Sequence, residues 1–173
     1  MALAVSQLEA DLRAIMAGPD FPQTGFDAGT RWARAYASYA AGAQSVSGDS
    51  PPSLAANESA LGALLGAAFS NPSGDPSQTA GNIAAALTAF WFSPPVVFTG
   101  PPVSAIVTAV AGTAVLQAAL LSLWASILAA PDPDDPAGQA AHLHAAALDV
   151  FTRTVVVSHF FPPPVPPVVA PIL

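Results

Sequence analysis

Cysteine and lysine are both absent from the 173-residue chain, and Arg13, Arg31, Arg34 and Arg153 are its only fixed positive charges. The lack of cysteine excludes a disulfide framework, a thiolate zinc site and a cysteine nucleophile together. Eleven acidic side chains against four basic ones leave a net charge of −7. A chain so poor in cations has no stripe with which to neutralise phosphates, so nucleic acid is not an expected partner. Charge of either sign is scarce: 9% of residues are charged and 53% hydrophobic, against roughly a quarter charged in an ordinary domain. Such a chain must hide apolar surface in its own core, in a bilayer or against neighbouring subunits.

Catalytic patterns are missing as well. There is no Gly-x-Ser-x-Gly elbow, and Gly62, Gly66 and Gly74 are followed by no lysine that would complete a phosphate loop. Carboxylates group only at Glu9/Asp11 and Asp132/Asp134/Asp135, outside the apolar centre that would tune a general acid. His142 and His144 have a chelating spacing only on extended chain, because two residues on a helix diverge by about 200°. Asp135 and Asp149 could add carboxylates, yet a His-x-His without a third convergent ligand reads as a solvated helical pair. The expectation is a non-enzyme with no cofactor, no metal and no small-molecule substrate. The opening MALAVSQLEADLRAIM has no basic residue ahead of Glu9 and Asp11, so it does not read as a secretory signal.

What is present is apolar sequence punctuated by Pro, Gly and Asp. Helices are predicted near 6–16, 28–42, 54–69, 78–92, 112–129 and 137–151, with extended segments at 95–98 and 153–160. The first opens on Ser6-Gln7-Leu8-Glu9, which has capping-box spacing, the second on Asp27 or Thr30, and the last on Asp135. Leu116, Leu120, Leu123 and Trp124 are expected at the buried centre with Leu87 and Phe90. The aromatics Trp32, Tyr36, Tyr39, Phe90, Trp91 and Phe92 fit helix packing better than a ligand cage.

The fold class expected is thus mainly α: a compact bundle of five or six helices with short extended segments and a proline-rich C-terminal arm. Residues 1–161 read as a single helical domain and 162–173 as the extended arm. AAALTAF at 84–90 matches AAALDVF at 145–151 in five of seven positions, and each follows an Asp-Pro turn. An internal duplication relating about 60–100 to 120–161 therefore competes with chance similarity in Ala-rich sequence.

No charged residue occurs between Asp75 and Asp132, and Val103 to Ala130 is free of proline too. Those 28 residues exceed the roughly 20 needed to cross a bilayer, so a small integral membrane subunit spanning with 103–130 is the alternative reading. Basic anchors are lacking on either flank, and a core helix, alternatively a strand over VSAIVTAV before Gly112, is preferred.

The arm from Pro162 to Leu173 holds six prolines in twelve residues. Prolines remove backbone donors, so the arm is expected to make no regular ladder and to matter more to assembly than to folding. Val165, Val168, Val169, Ile172 and Leu173 are its candidate partner-binding residues, seated in an apolar groove of an adjacent subunit. In layout, the succession RWARAYASYA, FWFSPPVVFTGPPV, AAHLHAAALDVF and TRTVVVSHFFPPPVPPVVAPIL resembles a small structural subunit of a tailed bacteriophage or phage-tail-like particle. That resemblance transfers no catalytic or binding residue. It implies a virion or similar particle as the location, and copies of itself or other structural subunits as partners.

Overall fold

Proline and aspartate set the helix starts. In the computed structural model, which describes residues 3–71, 74–100, 105–159 and 168–173, six helices span Val5–Ala17 (α1), Gly25–Ala40 (α2), Ala55–Ser70 (α3), Pro76–Phe92 (α4), Thr113–Ala129 (α5) and Pro136–Thr152 (α6). Asp75 accepts from the Ser77 N–H and Asp135 from the Gly138 N–H, each followed by proline at the first helical position, where the missing donor is no loss. Two expected caps are corrected. Ser6 lies inside α1, whose N-cap Ala4 has no side-chain acceptor. For α2 the cap is Thr24, which accepts from the Asp27 N–H at 3.1 Å, so Asp27 sits in the first turn and Thr30 further along.

Each helix packs on its neighbours in the chain, and α6 returns against α1 to close the bundle. The tightest seam joins α2 to α3. Gly25, Gly29 and Ala33 face Ser70, Gly66 and Gly62 in antiparallel order, and a Cβ on Gly29 would lie 2.2 Å from the Gly66 backbone nitrogen. Only hydrogen at Gly25 and Gly29 lets the two helix backbones meet so closely. The expected centre is confirmed for Leu116, Leu120, Leu123, Leu87 and Phe90, all buried, with Trp124 partly buried against them. Tyr36, Phe90 and Trp91 join the same core through edge-to-face contacts with ring centroids 5.1 and 5.3 Å apart.

The 28-residue apolar run is not one helix. It contains the strand Ala105–Val110 (β2), a break at Ala111-Gly112, and then α5. At about 1.5 Å per residue α5 is some 26 Å long, short of the roughly 30 Å hydrocarbon core. Among the described residues no helix is long and apolar enough to cross a membrane.

Strand β2 is second in a four-stranded antiparallel sheet with Val97–Phe98 (β1), Val155–His159 (β3) and Val168–Pro171 (β4), in the order β1-β2-β3-β4. The expectation of no ladder in the C-terminal segment is therefore corrected for 168–171. Register pairs Val157 with Ala170 and His159 with Val168, and the Ile172 N–H reaches the Val155 carbonyl at 3.0 Å. Donation toward β3 thus falls to alternate residues, and Pro171 occupies a position that owes no N–H to the ladder. The loop after α2 bounds the sheet at both sides: Gln44 exchanges backbone bonds with Leu173, and the Ser50 carbonyl accepts from the Thr99 N–H.

The two Asp-Pro helices repeat more than their sequence. α4 and α6 are both 17 residues long. Their matched residues Ala84/Ala145, Leu87/Leu148 and Phe90/Phe151 are all buried, and each helix leads into a strand, β1 or β3.

Candidate functional site

Polar side chains inside the bundle form short chains with defined donors. Trp91 donates its indole N–H to the Tyr36 hydroxyl at 3.1 Å, and Thr152 donates to the Leu148 carbonyl at 2.7 Å. Tyr36 must then donate to Thr152, across 2.8 Å. The hydroxyl of α2 thus ties α4 to α6 at matching positions of the repeated sequence. Burial pushes the Tyr36 phenol above its ordinary range, with the bonds to Thr152 and Trp91 acting the other way. What this enclosed hydroxyl does in the fold is fasten α2, α4 and α6 together. Tyr39 on the same helix face donates to Asp149, whose other oxygen accepts from Arg153 at 2.9 Å. Burial and then this bond to a carboxylate raise the Tyr39 phenol as well.

The candidate histidines part company. His142 is exposed on α6 and pairs with Glu9 of α1 at 2.9 Å. His144 is turned inward. Trp124 donates to its Nε2 at 3.1 Å, its Nδ1 lies 2.7 Å from the Ala140 carbonyl, and the Trp32 ring meets it edge-on at 5.3 Å. Asp135 is taken up by the α6 cap and Arg13, and Asp149 by Tyr39 and Arg153. Among the described residues, no three His, Asp or Glu side chains are grouped so as to hold a metal.

Every arginine has an acidic partner: Arg13 with Asp135, Arg31 with Asp27, Arg34 with Glu58 and Arg153 with Asp149. Each pair is at least partly exposed and is worth little to stability. Their effect on the surface is to leave no arginine without a neighbouring carboxylate. Trp32 and Phe69 border a shallow groove of about 430 Å³ with Ile15, Met16 and Phe21, while Tyr36, Tyr39, Phe90 and Trp91 are core residues.

The sheet separates the candidate partner-binding residues. Pairing carries Phe98, Ala105, His159 and Val168 across one face, and Val97, Ile106, Ser158 and Val169 across the other. The first face is the inner one: Phe98, Ala105 and His159 are buried, as are Val107, Val157 and Val155 on neighbouring rows. Ile172 belongs to this inner face at 2% exposure, so it is seated in its own subunit and not offered to a neighbour. Val168 sits at the rim of the same face, half-exposed. Val165 lies outside the described residues.

The second face is open at its edges, while Ser158 at its centre is buried and Ile106 and Val156 are half-buried. Val97 is 41% exposed, Val169 62% and Leu173 55%, and Val156 and Pro171 pair on the same side. Thr108 and Ser158 hydrogen-bond to each other there at 2.9 Å, and none of these residues is charged. The exposed remnant of the expected arm, Val169 and Leu173, is therefore part of an uncharged sheet face that also draws on β1, β2 and β3. Alternation of Val with Pro and Ser in the sequence could have signalled a two-faced strand, but the prolines spoke against one. Comparison with protein families, with curated proteins and with solved structures found no match to this chain.

Proposed function

We propose that this protein is a non-catalytic structural subunit of a multi-protein assembly, a virion or phage-tail-like particle, and that the outer face of its sheet is a contact with neighbouring subunits. The observation that carries the reading is the cross-strand row Val97, Ile106, Ser158 and Val169 with Val156, Pro171 and Leu173 beside it. It is uncharged and partly open on a chain whose net charge is −7. Exposed apolar faces of this kind mark contact sites, and full burial of each valine contributes about 1.5–3 kcal/mol before ordering costs. α5 supports the same reading, because its 17 residues include no charge and it leaves Val115 and Leu128 exposed, the latter at 84%.

The test places a charge on the outer face. Val97→Lys and Val169→Lys are combined, produced in the native source, and followed by sedimentation of the parent particle. The wild-type chain is expected in the particle fraction, and the double variant in the low-mass fraction with unchanged helical circular dichroism. Equal incorporation of the two chains would contradict the proposal.

A further inference from the structure

His144 is the point where α6 meets both α5 and α2. Its ring takes the Trp124 indole N–H of α5 at Nε2, holds the Ala140 carbonyl of its own helix at Nδ1, and packs against Trp32 of α2. Because an indole N–H only donates, Nε2 must accept, and Nδ1 must carry the proton that the Ala140 carbonyl receives. Both ring nitrogens are thereby committed in the neutral form, one donating and one accepting. A second proton has to enter at Nε2, where it would face the Trp124 N–H donor to donor.

The surroundings offer no compensation for the charge. α5 contains no ionisable residue. On α2, Asp27 pairs with Arg31, Arg34 pairs with Glu58 of α3, Tyr36 bonds Thr152, and Tyr39 bonds Asp149. On α1, Glu9 pairs with His142, Asp11 accepts from Gln7, and Arg13 pairs with Asp135. On α6 itself Asp149 is also held by Arg153. Among the described residues none of these groups hydrogen-bonds or ion-pairs with the His144 ring. The imidazolium would therefore be buried without a counter-charge beside it.

We propose that the Trp124–His144 contact is an acid-sensitive latch between α5 and α6, released when a proton at Nε2 removes the acceptor for the indole. The protonated ring turns toward water, Trp124 loses its partner, and the edges of Trp124 and Trp32 are uncovered while the helices themselves persist. Burial holds the ring below the ordinary imidazole range, with the Ala140 carbonyl acting in the opposite direction, so release comes on the acid side of neutrality. This device belongs to the bundle interior and does not depend on what the outer sheet face contacts.

The experiment follows tryptophan emission and far-ultraviolet circular dichroism of the full chain from pH 8 to pH 4. The wild type is expected to show a red shift in emission centred below pH 6.5, with helical signal retained. His144→Gln stays neutral while its amide oxygen can still accept from Trp124, and it is expected to lose the shift. His142→Gln and His159→Gln are expected to keep it. A red shift of the same midpoint and size in His144→Gln would overturn the latch, as would its loss in either control. Should His144→Gln fail to fold at pH 8, nitrogen-15 spectra of the wild-type imidazole and indole decide the matter. They are expected to show proton uptake at His144 Nε2 in step with a changed Trp124 indole resonance. Uptake with that resonance unmoved would refute the proposal.

Discussion

Gly29→Ala is the sharpest perturbation of the helix packing, because the same substitution elsewhere in the chain should act with the opposite sign. In a helix interior, alanine for glycine is worth about 1 kcal/mol of propensity. At Gly29 the new Cβ would stand 2.2 Å from the Gly66 nitrogen, 2.6 Å from its Cα and 2.8 Å from the Leu65 carbonyl carbon. All three are backbone atoms, with no flexible end to give way. Restoring ordinary contact near 3.4 Å requires α2 and α3 to separate by 3.4 − 2.2 = 1.2 Å at this point, thinning the packing of buried Ala33, Leu61 and Leu65. Overpacking costs roughly 1–3 kcal/mol and occasionally more; three backbone contacts below 3 Å put Gly29 in the upper part of that range, about 2–3 kcal/mol, so the net loss after the propensity gain is about 1–2 kcal/mol. For a chain of this size that is a fall of about 2–8 °C in melting temperature. At Gly81 of α4 the nearest atoms to the added Cβ are those of the flexible Gln117 side-chain amide, the nitrogen at 3.3 Å. Gly81→Ala should therefore be neutral to stabilising, a rise of up to about 4 °C. Thermal unfolding by circular dichroism reads both variants. A Gly29→Ala protein as stable as the wild type would refute the backbone seam.

Tyr36→Phe leaves the buried Trp91 N–H without its acceptor, and denaturant unfolding should report a loss of about 1–3 kcal/mol. Leu120→Asp places a carboxylate at a fully buried position and should prevent soluble folding, as judged by recovery and circular dichroism. Stability should also depend on pH through His144. Its folded pKa is lowered from 6.5, so its contribution is fully present above 6.5 and is lost as pH falls from there toward the folded value. Denaturant midpoints at pH 7.5 and pH 5 check this, and the difference should shrink in His144→Gln.

Helix order was readable because proline and aspartate mark the starts of α4 and α6 with a mechanism attached to each residue. The start of α2 is ambiguous in the sequence because Thr24, Asp27 and Thr30 all carry capping oxygens, and only the fold shows that the Thr24 oxygen accepts from the Asp27 N–H. Gly25 with Gly29 and Gly62 with Gly66 are each spaced by four residues, which places each pair on one helix face. Their meaning lies in the pairing of those two faces, and spacing within one helix does not say which helix is the partner. The C-terminal strand is hidden in the sequence for a different reason. Proline excludes a residue from donating, yet an edge strand needs donors toward its neighbour only at alternate positions, and Val168, Ala170 and Ile172 hold those positions. Burial of Ile172 also changes what the segment does. Removing it should now weaken folding along with any assembly, so charge substitutions at Val97 and Val169 test the interface more cleanly than truncation.

The most direct measurement of the assembly claim is site-specific photo-cross-linking in the native source. A benzophenone amino acid replaces Val169 on the outer sheet face, and in a separate chain it replaces Gln7, exposed on α1. From position 169 the account predicts a discrete cross-linked product with a second copy or another structural subunit, much stronger than from position 7. Cross-linking from 169 that is absent, or no stronger than from position 7, would contradict the claim that this sheet face meets a neighbouring subunit.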